Sequence, residues 1–317
     1  MRKGVLLILL LLSLFFSCAT PPAHQGGWVN NPYDKNYTED EYLLVIGSGS
    51  SYQKAVDNAR MNLAYVFSSQ VEALTSITTI DSSDGERFDE LFEHGTISSN
   101  VDDLVDAHVF SSMTDQKGQT FVRFGLHRAT SAQFYQHRVE ALEKELALVY
   151  RSASANELER YAQLAGSYPL AQEAQELSDR IWVLTKEQRP NYLFTLRSEL
   201  QGLAQTITVG VQVVSETRPE VLKAGFEDTL QRLGFRQGEG RYTLTITYDS
   251  EAVTLQASPY AYERYTLSVI LGEKDTVIRS YTLSERIAAL EQGDAKAKAL
   301  ASALHNGSET LIALLSQ

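Results

Sequence analysis

The chain is poor in cysteine, with one, Cys18, in 317 residues. A single thiol closes no internal disulfide, which excludes a disulfide-stapled fold and a four-cysteine zinc site. Positive charge is also scarce: 28 Lys and Arg stand against 40 Asp and Glu, a net charge of −12 with a pI near 5.0. Without a basic surplus to neutralise phosphates, nucleic acid is not an expected partner. The apolar run at the N-terminus is too short to span a bilayer. Val5 to Phe16, broken only by Ser13, covers about 18 Å as a helix, against a hydrocarbon core of roughly 30 Å. What is present is ordinary globular composition, 43% hydrophobic and 21% charged, over a length that suits about two domains.

Arg2 and Lys3 precede that run, which therefore reads as the apolar core of a secretory signal. It ends in Phe15-Phe16-Ser17-Cys18, so the lone cysteine directly follows a small residue. This resembles the lipobox of bacterial lipoproteins, in which the cysteine is lipidated and becomes the first residue of the mature chain. The family pattern has Leu three places before the cysteine and a small residue two before; Phe15 and Phe16 stand there instead. The alternative is an ordinary signal peptide with an incidental cysteine. On the lipobox reading, residues 1–17 are the signal peptide and residues 18–27 a short tether with Pro21, Pro22, Gly26 and Gly27. Ala19, not Asp, follows the cysteine, so by resemblance the outer membrane is the expected destination, with periplasmic face and cell surface both open. Removal of Arg2 and Lys3 leaves 26 basic and 40 acidic residues, a body near −14 that disfavours lying flat on anionic lipid.

The mature chain predicts an α+β protein: two small sheet-plus-helix domains, 28–130 and 206–317, joined by a helical connector at 131–205. In the first domain, Glu41 to Gly47 is an apolar strand, and Ser48-Gly49-Ser50-Ser51 is a turn with hydroxyls placed to cap a helix from Tyr52 to about Leu74. Asp81 to Gly85 reads as loop. Val105 to Met113 and Thr120 to His127 form a hairpin in which Gly118 supplies a positive φ. In the connector, Pro169 opens a helix, Pro190 breaks the pattern, and the tetratricopeptide consensus is absent. The last domain reads strand 207–214, helix from Pro219 ended by Gly234, a strictly alternating strand Tyr242 to Tyr248, and a hairpin around Gly272 to Asp275. A final helix, about Ala295 to Leu315, is expected to be interrupted at Asn306-Gly307.

Trp28-Val29, the strand Tyr42 to Gly49 ending in Gly-x-Gly, and a helix carrying Ala55, Ala59 and Leu63-Ala64 together resemble the LPP20 family of bacterial lipoproteins. The N-terminal module of a flagellar outer-membrane assembly protein has a similar layout. The resemblance covers roughly residues 28–130 and implies a periplasmic or surface α+β module without a known catalytic centre.

Catalytic patterns are missing where they could stand. Gly47-Ser48-Gly49 has Tyr52 in place of the third glycine of a dinucleotide fingerprint, and a tight strand-to-helix turn is the simpler reading. The six histidines are scattered without a zinc-protease spacing; His127 and His137 bracket a turn, weak grounds for a metal. No Gly-x-Ser-x-Gly elbow occurs. No cofactor, metal or catalytic residue is therefore expected; the only non-protein group is a covalent lipid on Cys18. Tyrosine is abundant, 16 in all, and Tyr248, Tyr260, Tyr262, Tyr265 and Tyr281 gather around the C-terminal sheet. They are either a binding surface or half-buried sheet residues. The expected function is a lipid-anchored, non-enzymatic scaffold or assembly factor of the cell envelope that binds envelope or flagellar proteins. The alternative is a surface-exposed lipoprotein binding host or extracellular ligands.

Overall fold

The computed structural model describes residues 27–80, 104–256, 258–274 and 276–315. Cys18, the tether as far as Gly26 and the loop Asp81 to Gly85 lie outside them. The fold is α+β, with two separate sheets and helices throughout. The chain divides into two compact units, one of residues 1–69 with 99–131, the other of residues 70–98 with 132–317.

In the first unit, β1 (Tyr42–Gly49), β2 (His108–Thr114) and β3 (Thr120–His127) form an antiparallel sheet in the order β1-β3-β2. Asp115 Oδ1 accepts from the N–H groups of Lys117 and Gln119, and Gly118 takes φ +81, so the β2–β3 turn forms as its residues predict. The central strand β3 is covered on both faces. Val122, Phe124 and Leu126 point one way, where helix α1 (Tyr52–Ile80) lays Ala55, Ala59 and Leu63, each fully buried. Ser51 Oγ caps that helix by accepting from Lys54 N–H at 3.3 Å. The small residues have a geometric reason: a Cβ on Gly47 would run into Ala55 O and Ala59 Cβ, so strand and helix touch backbone to backbone.

The other face of β3 carries Arg123, 1% exposed. Its Nη2 donates to Asp34 Oδ2 at 2.8 Å, and its guanidinium lies 4.8 Å from the Tyr37 ring centre and 5.2 Å from that of Trp28. Its Nε has no hydrogen-bond partner. Trp28-Val29 thus has a physical role: with Tyr37 it buries the stem and charge of an arginine in the middle strand. Asp34 is held below the usual carboxylate range, first by the N–H of Asn36 and also by Arg123. Its contribution is therefore present above about pH 3.9 and lost as pH falls through the lowered value.

Asp34 is 42% exposed, its partner 2% by side chain. Asp34→Ala leaves the buried cation without its counter-ion and should cost about 2 kcal/mol, less than the 3–5 of a fully buried pair because water reaches one side. Arg123→Met, which removes the charge and keeps most of the volume, should cost less. Urea unfolding followed by Trp28 emission checks the order; a costlier Arg123→Met would reverse it.

Helix α2 (Arg128–Arg151) begins at the end of the first unit and continues into the second, where α3 (Glu157–Gly166), α4 (Tyr168–Thr185) and α5 (Tyr192–Ala204) follow. Asn156 and Asn191 cap α3 and α5 by accepting from the N–H groups of Glu159 and Phe194, each at 2.8 Å. Pro169 lies in the first turn of α4, where its missing N–H costs nothing. These helices, expected to be a connector, belong to the same compact unit as the C-terminal sheet. The Tyr161 and Phe235 rings lie 4.7 Å apart, and Arg241 pairs with Glu157 at 3.1 Å. Apolar and charged contacts of that kind make one core out of what the proline-punctuated sequence presents as separate segments.

The C-terminal sheet has the order β5-β4-β6-β7-β8, with β4 (Thr208–Val214), β5 (Arg236–Gln237), β6 (Tyr242–Val253), β7 (Ala261–Glu273) and β8 (Thr276–Ala289). β4 runs parallel to both β5 and β6, with α6 (Pro219–Arg232) as the crossover, and β6, β7 and β8 follow one another antiparallel. It ends where expected, with Gly234 at φ +86. α6 and α7 (Gln292–Leu315) cover one face, against Leu244, Ile246, Leu267 and Val269. The opposite face carries Thr245, Thr247, Thr266, Ser268, Thr282 and Ser284, all exposed or half-exposed.

One expectation is corrected here. α7 runs without a break through Asn306-Gly307. Gly307 is buried, and a Cβ there would come 2.6 Å from Leu267 Cδ2 and 2.9 Å from Phe226 Cζ. The glycine serves close packing of an intact helix rather than its interruption.

Candidate functional site

The five tyrosines do not form one surface. Register and pleat divide them. β6 and β7 alternate, so Tyr248 and Tyr265 fall on the helix-covered face and are 3% and 0% exposed. Their rings stack at 6.2 Å. Neither can meet a partner, which corrects the reading of Tyr248 and Tyr265 as a binding face. Tyr281 joins them: its OH donates to Gly307 O at 2.6 Å, tying β8 to α7.

Tyr265 anchors a polar network on the same face. Its OH donates to Glu285 Oε2 at 2.9 Å, Ser302 Oγ donates to the same oxygen at 2.7 Å, and Asn306 Nδ2 reaches it at 3.2 Å. Burial pushes the phenol of Tyr265 above its ordinary value, and burial does the same to Tyr248 and Tyr281. These hydroxyls stay neutral across the ordinary pH range, and those of Tyr265 and Tyr281 donate. Phenol, carboxylate, hydroxyl and amide serve one another, and the network docks the last helix on the sheet.

Tyr260 and Tyr262 are different. Ala261 pairs with Ala289, so Tyr260, 50% exposed, and Leu290, 76% exposed, flank the same end of the sheet. Tyr262 and Arg264 project from the open face of β7, opposite Ala288 and Arg286 of β8. The Arg286 guanidinium lies 5.5 Å from the centre of the Tyr262 ring, and Ser258 Oγ donates to the Tyr262 OH at 3.0 Å. Arg264 reaches Glu251 at 3.4 Å, a pair half in water and worth little to stability. Two arginines facing each other across neighbouring strands is an unfavourable placement that folding alone does not require. With Glu251 beside Arg264 and Asp249 on the same face, they make a charged, aromatic patch with an apolar leucine at its rim. Tyr, Arg and large apolar groups together are the composition of interface hot spots.

Arg264, Arg286 and Leu290 are the part of this patch that counting tyrosines missed. The alternation of β7 contains the signal, since Tyr262 and Arg264 are two residues apart and share a face. The β8 partner follows only from the register.

The other singled-out residues serve structure. Gly47 is the backbone contact already described. His127 accepts from Thr130 N–H at 3.3 Å, and its ring meets Tyr42 edge-on; His137 faces Glu140 at 4.0 Å. Among the described residues no group of three or more His, Cys, Asp or Glu could hold a metal ion, and no helix is long and apolar enough to cross a membrane.

No family model matches the chain, and no curated protein does, so the LPP20 resemblance rests on its short motifs alone. Among solved structures the chain is similar to a minor lipoprotein from Acinetobacter baumannii, at 11% identity over 34% of this chain and 90% of that one, with a TM-score of 0.30. It is similar to the secreted protein HP1454 of Helicobacter pylori, at 13% identity over 83% and 97%, TM-score 0.37. A candidate lipoprotein from Caulobacter crescentus matches at 17% identity over 37% and 92%, TM-score 0.26. Likeness at these scores is partial, and neither fold nor function of this chain is inferred from it.

Proposed function

We propose that this chain is a lipid-anchored lipoprotein of the bacterial envelope, placed at the outer membrane, that binds another protein and catalyses nothing. Cys18 at the end of a signal-like run supports the anchor. The observation that carries the binding role is the exposed patch of Tyr260, Tyr262, Arg264, Arg286 and Leu290 at one end of the second sheet. It sits on paired strands of 13 and 14 residues, so its groups are held in place before a partner arrives, which lowers the entropic cost of binding. The Arg286 guanidinium beside the Tyr262 ring suits a carboxylate on the partner.

The test is recovery of partners from crosslinked cells with the full chain and with a Tyr260→Ala/Arg286→Glu variant. Both positions lie outside the core, so the variant should melt like the parent. A partner captured by the parent should be lost by the variant, with a drop of at least about tenfold for removal of two central contacts. Equal recovery by both would reject the patch. A substrate turned over by the purified chain would reject the non-enzymatic reading.

A further inference from the structure

The outer edges of the two sheets are treated very differently. At β1, the outward backbone groups are occupied by side chains: Leu44 N–H donates to the Tyr33 OH at 3.2 Å, and Asn62 and Asn58 donate to Ile46 O and Ser48 O at 3.0 and 2.8 Å. β2 is 7 residues long and irregular between Val109 and Ser111. β4 is partly covered by β5. Each is a recognised way of keeping an edge from pairing with another chain. Among the described residues β8 has no covering strand and no side chains on its outward groups, and its one irregularity, at Ile278, lies near its start. It is 14 residues long, has no proline, pairs regularly with β7 from Arg279 to Ala289, and among the described residues no side chain hydrogen-bonds its backbone.

We propose that β8 pairs antiparallel with β8 of a second copy of this chain, centred on Thr282, to make one continuous sheet through a two-fold dimer. The occupant follows from the residues of the strand. Pairing centred on Thr282 sets Arg279 of each copy opposite Glu285 of the other, Tyr281 opposite Leu283, and Ser280 opposite Ser284. Arg279, Tyr281, Leu283 and Glu285 point to the helix-covered face; Ser280, Thr282 and Ser284 point to the open one. Opposite charges, an aromatic–aliphatic pair and hydroxyl pairs are each favourable directly across two strands, and every pair occurs twice by symmetry. An edge that is its own complement in charge and size selects a copy of itself over an arbitrary extended peptide.

The spacing also fits. α7 lies over β7 and β8 alike, so its axis runs about half a strand spacing inside β8. With strands roughly 4.8 Å apart, α7 and its symmetry mate stand about 10 Å apart, within the range of packed helices.

Cysteine substitution tests the register. In the full chain carrying Cys18→Ala, Thr282→Cys puts one thiol opposite its own copy, with Cα atoms about 5 Å apart, inside disulfide range. Mild oxidation should give a covalent dimer on non-reducing gels. Ser280→Cys in the same background faces Ser284 and is about 13 Å from its copy, so it should stay monomeric on the gel. Equal cross-linking of both, or of neither, overturns the pairing. Light scattering with chromatography supplies the second arm. Arg279→Glu and Glu285→Arg each place like charges across the interface and should weaken the dimer at least about tenfold. Both side chains also bond α7 of their own copy, so only variants that melt near the parent are compared. Mixed one to one, they should pair with each other, because the mixture sets every charge opposite its complement. A parent chain that stays monomeric, single variants that stay dimeric, or a mixture that stays monomeric would each sink the proposal.

Discussion

Cys18→Ala should shift the protein almost completely from the membrane pellet to the soluble fraction and abolish incorporation of a clickable fatty acid. The size of the effect follows from the energetics of the lipid and the charge of the body. No helix among the described residues is long and apolar enough to span a bilayer, and a body near −14 is repelled by anionic lipid. Each acyl chain contributes about 0.8 kcal/mol per buried methylene; one chain binds at only about 10⁴ M⁻¹, and two or more hold a protein stably. Lipidation at one residue is therefore close to all or none in its effect on location. Unchanged labelling of the variant would refute the lipobox reading, and unchanged sedimentation with lost labelling would point to a second means of attachment.

Gly47→Val should unfold the first unit's strand–helix contact. The obstacle is backbone as well as side chain: a Cβ at this position meets Ala55 O and Ala59 Cβ before any larger group is considered. A flexible side chain could rotate away, whereas a helix carbonyl moves only if the helix moves. Overpacking typically costs about 1–3 kcal/mol; here the upper end or more is expected, because relief separates the stripe Ala55, Ala59, Leu63 from the sheet. In urea, the Trp28 transition should fall to lower denaturant. Gly202 provides the contrast. It lies inside α5 with nothing within 4 Å of a Cβ, and alanine there should stabilise by roughly 0.5–1 kcal/mol. A Gly47→Val chain as stable as its parent would mean that the close approach does not constrain the fold.

Much of the architecture was legible because it rests on local rules. The hairpin around Gly118, the opening of α4 near Pro169 and α6 at Pro219, and the end at Gly234 are each dictated by φ or by a missing N–H. The alternation in Tyr242 to Tyr248 gave a strand with one wet face, which is what β6 shows. Other features depend on neighbours distant in sequence. Asn306-Gly307 looks like a break in isolation, and only Leu267 and Phe226 make it a close packing point inside α7. Tyrosine abundance carried no orientation: Tyr248 and Tyr265 differ from Tyr262 only in which side of the pleat they occupy. Arg123 was the most informative residue overlooked, since a lone arginine in an apolar strand reads as a solvent-facing position until Trp28, Asp34 and Tyr37 are folded over it.

That clamp also sets mechanics. Trp28 is fixed to the middle strand of its sheet through Arg123, so on the lipid-anchored reading a tether from Cys18 would meet the fold there. The ten residues from Cys18 to Gly27 reach at most about 35 Å when fully drawn out. A lipid on Cys18 would thus hold the first unit within that radius of the bilayer. A pull on such an anchor would first strain the Trp28–Arg123 contact on the middle strand, before the chain that leads on to the edge strand β1 is loaded.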